Sequence, residues 1–202
     1  LEIAMANPNN ARGLIPVKHI DGSPYSGPGN LYHVPAAYGT ALYLGLPLIA
    51  TGASDANAIP TVQIATAAGS NYMIGPMMGI ADGGEPVTTV TRDMVTYHPA
   101  STLQYILVAD DPNTVFEAQE DGLVTTIAMA TAGTKNVSLI AGAGSTTTGY
   151  SGWQLDSDTV ATTALQIRLL RGVHRADNEM AALYSKWLCM INLHSLRNTT
   201  GV

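Results

Sequence analysis

The glycine-rich segment 144–151, GSTTTGYS, is the first place in this chain where residue types suggest chemistry, because its outline resembles a phosphate-binding loop. That chemistry needs a lysine to meet the β- and γ-phosphates, and Tyr150 stands at the lysine position. Ser151 lies within GYSGW, which departs from the G-x-S-x-G pattern of an activated serine. The segment therefore predicts neither nucleotide binding nor serine catalysis.

The remaining acids, bases and metal-ligating side chains are spaced without a catalytic or metal-binding pattern. The five histidines are dispersed and form no HExxH or HxxxH pair. Acidic residues at 110–111 and 117–121 imitate paired catalytic carboxylates, but they flank a turn and a strand end and are interpreted as solvated. Asp156 and Asp158 lack the glycine and glutamate of a calcium loop and are interpreted as turn residues. The pattern predicts no enzyme activity, no metal and no cofactor.

Composition favours a protein whose faces are partly covered by other chains. The 202 residues are 46% apolar, which is enough for a core, but only 12% are charged. A surface so short of charge is poorly suited to a solitary protein, and nine tyrosines against one phenylalanine are typical of half-wet interfaces. The simpler interpretation is a tyrosine-rich β protein.

Charge and hydropathy exclude several classes of partner. The formal net charge is −6, and nine basic residues are scattered without a stripe, which argues against nucleic-acid binding. No apolar run has membrane-spanning length, and no secretory signal peptide is visible. The single cysteine, Cys189, shares a strand face with Trp187 and Ile191 and is expected in the core. Synthesis in a reducing cytoplasm fits these features.

Short alternating segments punctuated by Gly, Pro, Asn and Asp predict a mainly β fold, an antiparallel β-sandwich or barrel body with an extended N-terminal arm. The predicted division is an arm at 1–31, a first β lobe at 32–100 and a second at 101–202, with one continuous β domain as the alternative. The predicted strands are 32–36, 41–48, 61–67, 73–80, 87–91, 95–97, 103–109, 114–119, 164–170 and 186–193.

The connections between these strands carry their own signals. DDPN at 110–113 predicts a turn that closes a hairpin over 103–119. Segment 141–152 is predicted to be a long flexible loop. A short helix capped by Asp177 is predicted over 178–185, and segment 124–131 fits either a helix or a strand.

The arm, LEIAMANPNNARGLIPVKHIDGSPYSGPGNL, has many prolines and glycines and shows no helical or strand periodicity. It has few charges and several apolar residues, which distinguishes it from a disordered tail. We interpret it as a strap that lies over a neighbouring subunit, with an arm lying on its own domain as the alternative. Candidate contact residues, chosen from the arm itself, are Asn7, Pro8, Arg12, Leu14, Ile15, Val17, Ile20 and Tyr25.

Several strings of the chain resemble a family of tailed-phage virion proteins, the capsid cement or head decoration proteins. They are ANPNNARGLIPVKHIDGSPYSG, NLYHVPAAYGTALYLGLPL, SDANAIPTVQIATAA, YHPASTLQYILVADDPNTVFEAQED, LIAGAGSTTTGYSGWQLDSDT and KWLCMINLHSLR. The resemblance spans nearly all of residues 6–197, and its motifs are structural rather than catalytic. It implies a mainly β, non-enzymatic protein.

The resemblance further implies a protein on the outer surface of a phage head, made in the bacterial host cytoplasm. Its partner would be the major capsid protein, whose subunits it would cement together in the expanded shell. Symmetric self-association at a capsid symmetry axis is expected, as a trimer ahead of a dimer. The alternative is an exposed head- or tail-fibre module that binds a host surface glycan, with Tyr150 and Trp153 as stacking rings and Trp187 more suited to the core.

Overall fold

The computed structural model describes residues 7–27, 29–81, 96–122, 127–180 and 182–197, which form a mainly β structure with several antiparallel sheets. The predicted fold class is confirmed. The strands of the described residues are β1 (Ile15–His19), β2 (Asn30–Val34), β3 (Leu42–Tyr43), β4 (Pro47–Ser54), β5 (Pro60–Ile64), β6 (Gly75–Ala81), β7 (Tyr97–His98), β8 (Gln104–Val108), β9 (Thr114–Gln119), β10 (Asn136–Val137), β11 (Leu139–Ile140), β12 (Gln154–Leu155), β13 (Ile167–Gly172) and β14 (Lys186–Ile191). One short helix, α1 (Met129–Ala132), and two 3-10 turns, Ser157–Thr159 and Ser195–Arg197, accompany them.

Five strands close into a barrel in the order β2-β5-β4-β6-β8. Alternation along β2 and β8 sends Tyr32 and Ile106 into the main core, while Leu31 and Leu107 pack together on the opposite face. The β2–β5 contact is parallel and is registered at a single pair, His33 and Thr61, whose side chains are 3.0 Å apart. The other contacts in the barrel are antiparallel.

The second layer is a five-stranded antiparallel sheet in the order β1-β9-β14-β13-β10. Its inner face carries Phe116 and Trp187, and Cys189 is fully buried beside them, as predicted. The inner face and the barrel interior belong to one continuous hydrophobic cluster. The chain passes from barrel to sheet at 109–113, between β8 and β9, so both layers share a core.

The arm at its described residues lies against the chain's own body. Segment 15–19 is a strand, although no strand was predicted there, because Pro16 tolerates an edge position where its missing N–H is not needed. Leu14 is fully buried, and its amide donates to the carbonyl of Gly45 at 2.9 Å. Asn7 is buried, and its side chain bonds to the backbone of Glu179 and Leu183. The arm therefore contributes to both layers of its own fold.

The hairpin predicted over 103–119 is wrong. The 110–113 turn is present, with the amide of Thr114 bonded to the carbonyl of Asp111 at 3.0 Å. However, β8 pairs with β2 and β6, while β9 pairs with β1 and β14. The turn connects two layers rather than two neighbouring strands, because both flanking strands are apolar enough to be buried in different sheets.

Segment 141–152 folds back onto its own body, contrary to the flexible loop predicted there. The amide of Leu44 donates to the carbonyl of Gly149 at 2.8 Å, and the amide of Ser151 donates to Leu44 at 2.9 Å. A Cβ atom at Gly142 would collide with the carbonyl of Gly152, and one at Gly144 would collide with the ring of Tyr43. The glycines therefore serve close packing rather than mobility.

The remaining predicted elements have mixed outcomes. Segment 114–119 has the predicted bounds. The described part of 178–185 is not helical, because the Asn178 side chain bonds to Val173 and Lys186 and bridges the connection between β13 and β14. The predicted strand 87–91 lies outside the described residues, as do parts of segments 95–97 and 124–131. Helix α1 begins near the end of segment 124–131.

Candidate functional site

One end of the molecule combines the polar and exposed apolar residues best placed for binding. We call it the turn face and define it as residues 17, 19–25, 72, 110–113 and 194–197. The amide of Ile20 donates to the carbonyl of Asn113 at 2.9 Å, and a guanidinium N–H of Arg197 donates to the Asn113 side chain at 2.6 Å. The hydroxyl of Ser195 donates to the carbonyl of Tyr72 at 3.1 Å. These bonds link the arm, the turn and the C-terminal segment.

A cleft of about 280 Å³ lies between the arm and the turn, lined by His19, Tyr25, Ser26, Gly27, Gly29, Asn30, Ala109, Asp110 and Asp111. The buried Asp110 carboxylate accepts hydrogen bonds from the Asn30 amide at 2.8 and 3.0 Å and from the Tyr32 hydroxyl at 2.8 Å. Burial and the adjacent Asp110 charge raise the pKa of Tyr32 well above its usual value. Tyr32 therefore stays protonated and donates its hydroxyl proton to Asp110. The Asp110 carboxylate is thus used in hydrogen bonds that hold the fold together.

His19 and Asp111 form a second polar contact at the rim of this cleft. Nδ1 of His19 lies 2.8 Å from Oδ2 of Asp111, and the imidazole stacks at a tilt on Tyr25, with ring centroids 5.7 Å apart. Within the described residues, no hydroxyl or thiol is hydrogen-bonded to the ring of His19, so the pair lacks the third member of a nucleophilic triad. The contact anchors the arm to the turn.

Exposed apolar side chains surround this polar centre. The exposed fractions are 43% for Val17, 53% for Ile20, 43% for Tyr72 and 59% for Leu196. Such a concentration of large apolar side chains on one end is typical of a protein-binding surface. Leu103, also exposed, lies at the opposite end of β8 from the turn and does not belong to the turn face.

His194 lies beneath the turn face and is 1% exposed. Its Nδ1 accepts the amide N–H of Leu196 at 3.2 Å, and its Nε2 has no partner among the described residues. Burial, reinforced by the Arg197 charge and opposed by Asp110 and Asp111, lowers the pKa of His194 to about 4. The side chain is therefore neutral at physiological pH.

The structure brings only some of the predicted contact residues to the turn face. Val17, Ile20 and Tyr25 lie there. Arg12 lies elsewhere, with its guanidinium 4.9 Å from the centroid of the Tyr150 ring. The other four contact the chain's own body. Leu14 and Asn7 are buried, the carbonyl of Pro8 accepts a hydrogen bond from the Gln119 side chain, and Ile15 pairs with Glu117 in the sheet.

Two residues of the turn face, Tyr72 and Leu196, were not indicated by the sequence. An isolated exposed apolar residue has the same local pattern as a buried one, so no signal in the sequence could have identified them. The contact between His19 and Asp111 was equally invisible, because the two residues are 92 positions apart and meet only through the pairing of β1 with β9.

The interpretation of the acidic groups as solvated is wrong for three of their members. Glu120 is fully buried, Asp121 is 6% exposed and Asp110 is 9% exposed. Asp121 accepts bonds from the amide and hydroxyl of Ser157, at 3.1 and 2.7 Å. Glu120 accepts the amide of Ile127 at 2.8 Å, and burial raises its pKa. The end of β9 continues into the interior instead of reaching solvent.

Other predicted sites offer little for chemistry or glycan stacking. In the part of the chain that the structure describes, no group of three or more His, Cys, Asp or Glu side chains is placed to hold a metal ion. Trp153 is 4% exposed and Trp187 is 2% exposed, so neither ring presents a stacking surface. Among the same residues, no helix has the length and apolar character needed to cross a membrane.

Comparison of the chain with models of known protein families, with curated proteins and with solved structures gives no match.

Proposed function

We propose that this chain is a structural virion protein that binds the outer surface of a phage capsid and cements major capsid protein subunits in the expanded head. The observation that carries the proposal is the turn face, where Val17, Ile20, Tyr72 and Leu196 expose large apolar surfaces around a rigid, hydrogen-bonded turn. The resemblance of the sequence to head decoration proteins supports the same function.

The energetics of the turn face suit binding in many copies. Completing the burial of a half-exposed Ile or Leu contributes roughly 1 kcal/mol. Four such side chains give a modest contact for one molecule, and part of it is offset by lost rigid-body freedom. An oligomer that contacts several subunits at once gains avidity through effective concentration. Binding is then selective for a lattice that presents several subunits in the correct spacing.

The mechanism of stabilisation is linkage. A protein that binds the expanded shell and not its separated subunits stabilises the shell by mass action. The arm is already folded onto its own body at residues 7–27, so little ordering entropy is lost at those residues on binding.

The test is co-sedimentation with expanded and unexpanded shells of the capsid protein. The double variant Ile20→Ser and Leu196→Ser removes apolar surface from the turn face, while Leu103→Ser is a matched control with 57% exposure outside it. We expect wild-type and control proteins to bind expanded shells, and the double variant to bind at least about tenfold more weakly. Absence of wild-type binding, or equal binding by the double variant, would overturn the proposal.

A further inference from the structure

Five of the nine basic side chains that are scattered in the sequence gather on one face of the molecule. The outer face of the five-stranded sheet, which we call the basic sheet face, carries Lys18 on β1, Arg168 and Arg171 on β13, and Lys186 on β14. Arg175 reaches the same face from beyond β13, since its guanidinium binds Glu117 on β9 at 2.7 and 2.9 Å. The linear sequence gives no sign of this convergence.

A β-bulge places the two arginines of β13 on the same side. Ile167 and Leu169 are fully buried on the inner face, and strict alternation would send Arg171 inward with them. The register shifts between Leu169 and Arg171, so that Arg171 lies opposite Leu188 on the outer face. Both Arg168 and Arg171 are consequently exposed.

Three cations on this face have no carboxylate partner among the described residues. Asp177 pairs with Arg175 at 2.9 Å and with Lys186 at 2.8 Å, and Glu117 pairs with Arg175. Arg168 bonds only to the Asn136 side chain and Arg171 only to the carbonyl of Gly172, while Lys18 forms no ion pair in the described part of the chain. Five cations and two carboxylates leave a charge of +3, so the rest of this −6 chain carries −9.

A small apolar cluster lies among the charged side chains of the basic sheet face. Val115, Val173 and Leu188 form a small cluster there, with exposures of 1%, 6% and 7%. The long stems of the surrounding charged side chains cover such apolar groups while their head groups stay in water. Arginine is one of the three residue types enriched at protein–protein hot spots.

We propose that the basic sheet face binds a carboxylate-rich protein surface, which, if the proposed function holds, belongs to a capsid subunit other than the one at the turn face. Guanidinium groups bind carboxylates through paired hydrogen bonds, and two guanidinium groups of this face have no carboxylate partner among the described residues. The chain's overall charge of −6 opposes approach to a densely charged polyanion, whereas a local acidic patch on a protein meets the +3 face alone.

The size of the face indicates a contact that acts together with another. Four strands of five or six residues, with the two-residue β10 beside them, span about 20 by 18 Å, or roughly 400 Å², which is half of the area that each partner buries in a stable complex. Two such contacts on one rigid chain, one apolar and one basic, join two subunits more tightly than either alone. A capsid cement protein has to join neighbouring subunits in this way.

The first experiment tests the chemistry of the face without a capsid. Beads bearing carboxymethyl groups at pH 7 should retain the wild-type protein at low salt despite its net charge, and release it by about 1 M salt, where the Debye length is about 3 Å. Arg171→Glu should flow through. Arg171→Lys preserves the local charge, and Arg12→Glu makes the same change of charge outside this face, so both should be retained. Wild-type flow-through, or equal retention of Arg171→Glu, overturns the proposal.

The second experiment identifies the partner, with expanded shells as the probe. We expect Arg171→Glu to bind about tenfold more weakly than wild type and to lose most of the salt dependence of binding. Equal binding by both proteins overturns this inference and leaves the proposed function standing. Absence of wild-type binding to shells, with retention on the beads, overturns the proposed function and supports the carboxylate chemistry of the face. Tight binding of a short DNA duplex that Arg171→Glu abolishes, or self-association that the same variant abolishes, overturns the assignment of the partner.

Discussion

At the scale of single residues, the buried titratable groups make the stability of this protein depend on pH in two directions. Glu120 is fully buried and its pKa is raised by burial, so its contribution to stability is greatest at low pH and is lost as pH rises. His98 and His194 are buried with lowered pKa values, and their contributions have the opposite sign. The neutral form of each group is the one compatible with its surroundings.

The exchange of His194 for asparagine tests this account. The pKa of His194 is about 4 in the folded chain and near 6.5 when unfolded, so the unfolded state binds a proton first as pH falls. The free energy of unfolding should therefore fall between pH 6.5 and 4, by up to about 3 kcal/mol from this residue. His194→Asn keeps an acceptor near the Leu196 amide and cannot titrate.

Urea unfolding at a series of pH values measures the difference between the two proteins. The variant should show a shallower loss of stability than wild type over that range. His98 and the carboxyl groups with lowered pKa values, Asp21, Asp55 and Asp177, should contribute to the part that remains. Identical slopes in both proteins would contradict a lowered pKa at His194.

At the scale of elements, the glycines of segment 141–152 predict a steric effect. A methyl group at Gly142 meets the carbonyl of Gly152, whereas Gly133 has open space around its Cα and ordinary backbone angles. Gly142→Ala should lower the free energy of unfolding by about 1–3 kcal/mol, as other insertions into packed sites do. Gly133→Ala should cost nothing or stabilise slightly. Chemical denaturation of both variants makes the comparison, and equal stabilities would show that the segment is not tightly packed.

The arm predicts a second effect at this scale. Leu14 is fully buried between the two layers, and Val17, three residues later, is 43% exposed. Leu14→Ala should cost about 2–5 kcal/mol, as buried leucine truncations do, while Val17→Ala should change stability by less than about 0.5 kcal/mol. Thermal unfolding distinguishes the two. A small effect of Leu14→Ala would mean that the arm is detached from the body in solution.

The elements that could be predicted from the sequence are those whose pattern is local. Strand β9 was found with its bounds because apolar residues end abruptly at explicit turn residues, and the burial of Cys189 followed from alternation in β14. The partners of a strand are not local, so DDPN revealed a turn but not that it joins two layers. Strand β1 was not predicted because it contains Pro16. Proline argues against a central strand, but it is tolerated in an edge strand such as β1.

The candidate surfaces were the least predictable part. Val17, Ile20 and Tyr25 were selected for apolar character in an extended arm, and they do lie on the turn face. Leu14 has the same character and is buried, because Gly45 allows the backbone at that point to approach closely. The basic sheet face needs the register of four strands and the register shifts in β1 and β13, none of which a single sequence specifies.

At the scale of the whole molecule, the shared core predicts cooperative unfolding. The barrel interior and the inner face of the sheet belong to one cluster, and the arm contacts both. Differential scanning calorimetry should show one transition whose calorimetric and van't Hoff enthalpies agree. Two resolved transitions would instead support separate lobes and would contradict a common core.

The position of β14 has a consequence for biosynthesis. This strand is made late, yet it lies at the centre of the sheet, between β9 and β13. Until residues 186–191 have emerged from the ribosome, β9 and β13 each present an unpaired edge, the kind of surface that joins nascent chains together. Efficient folding therefore depends on β14 pairing with both strands before their edges pair with the edges of other chains.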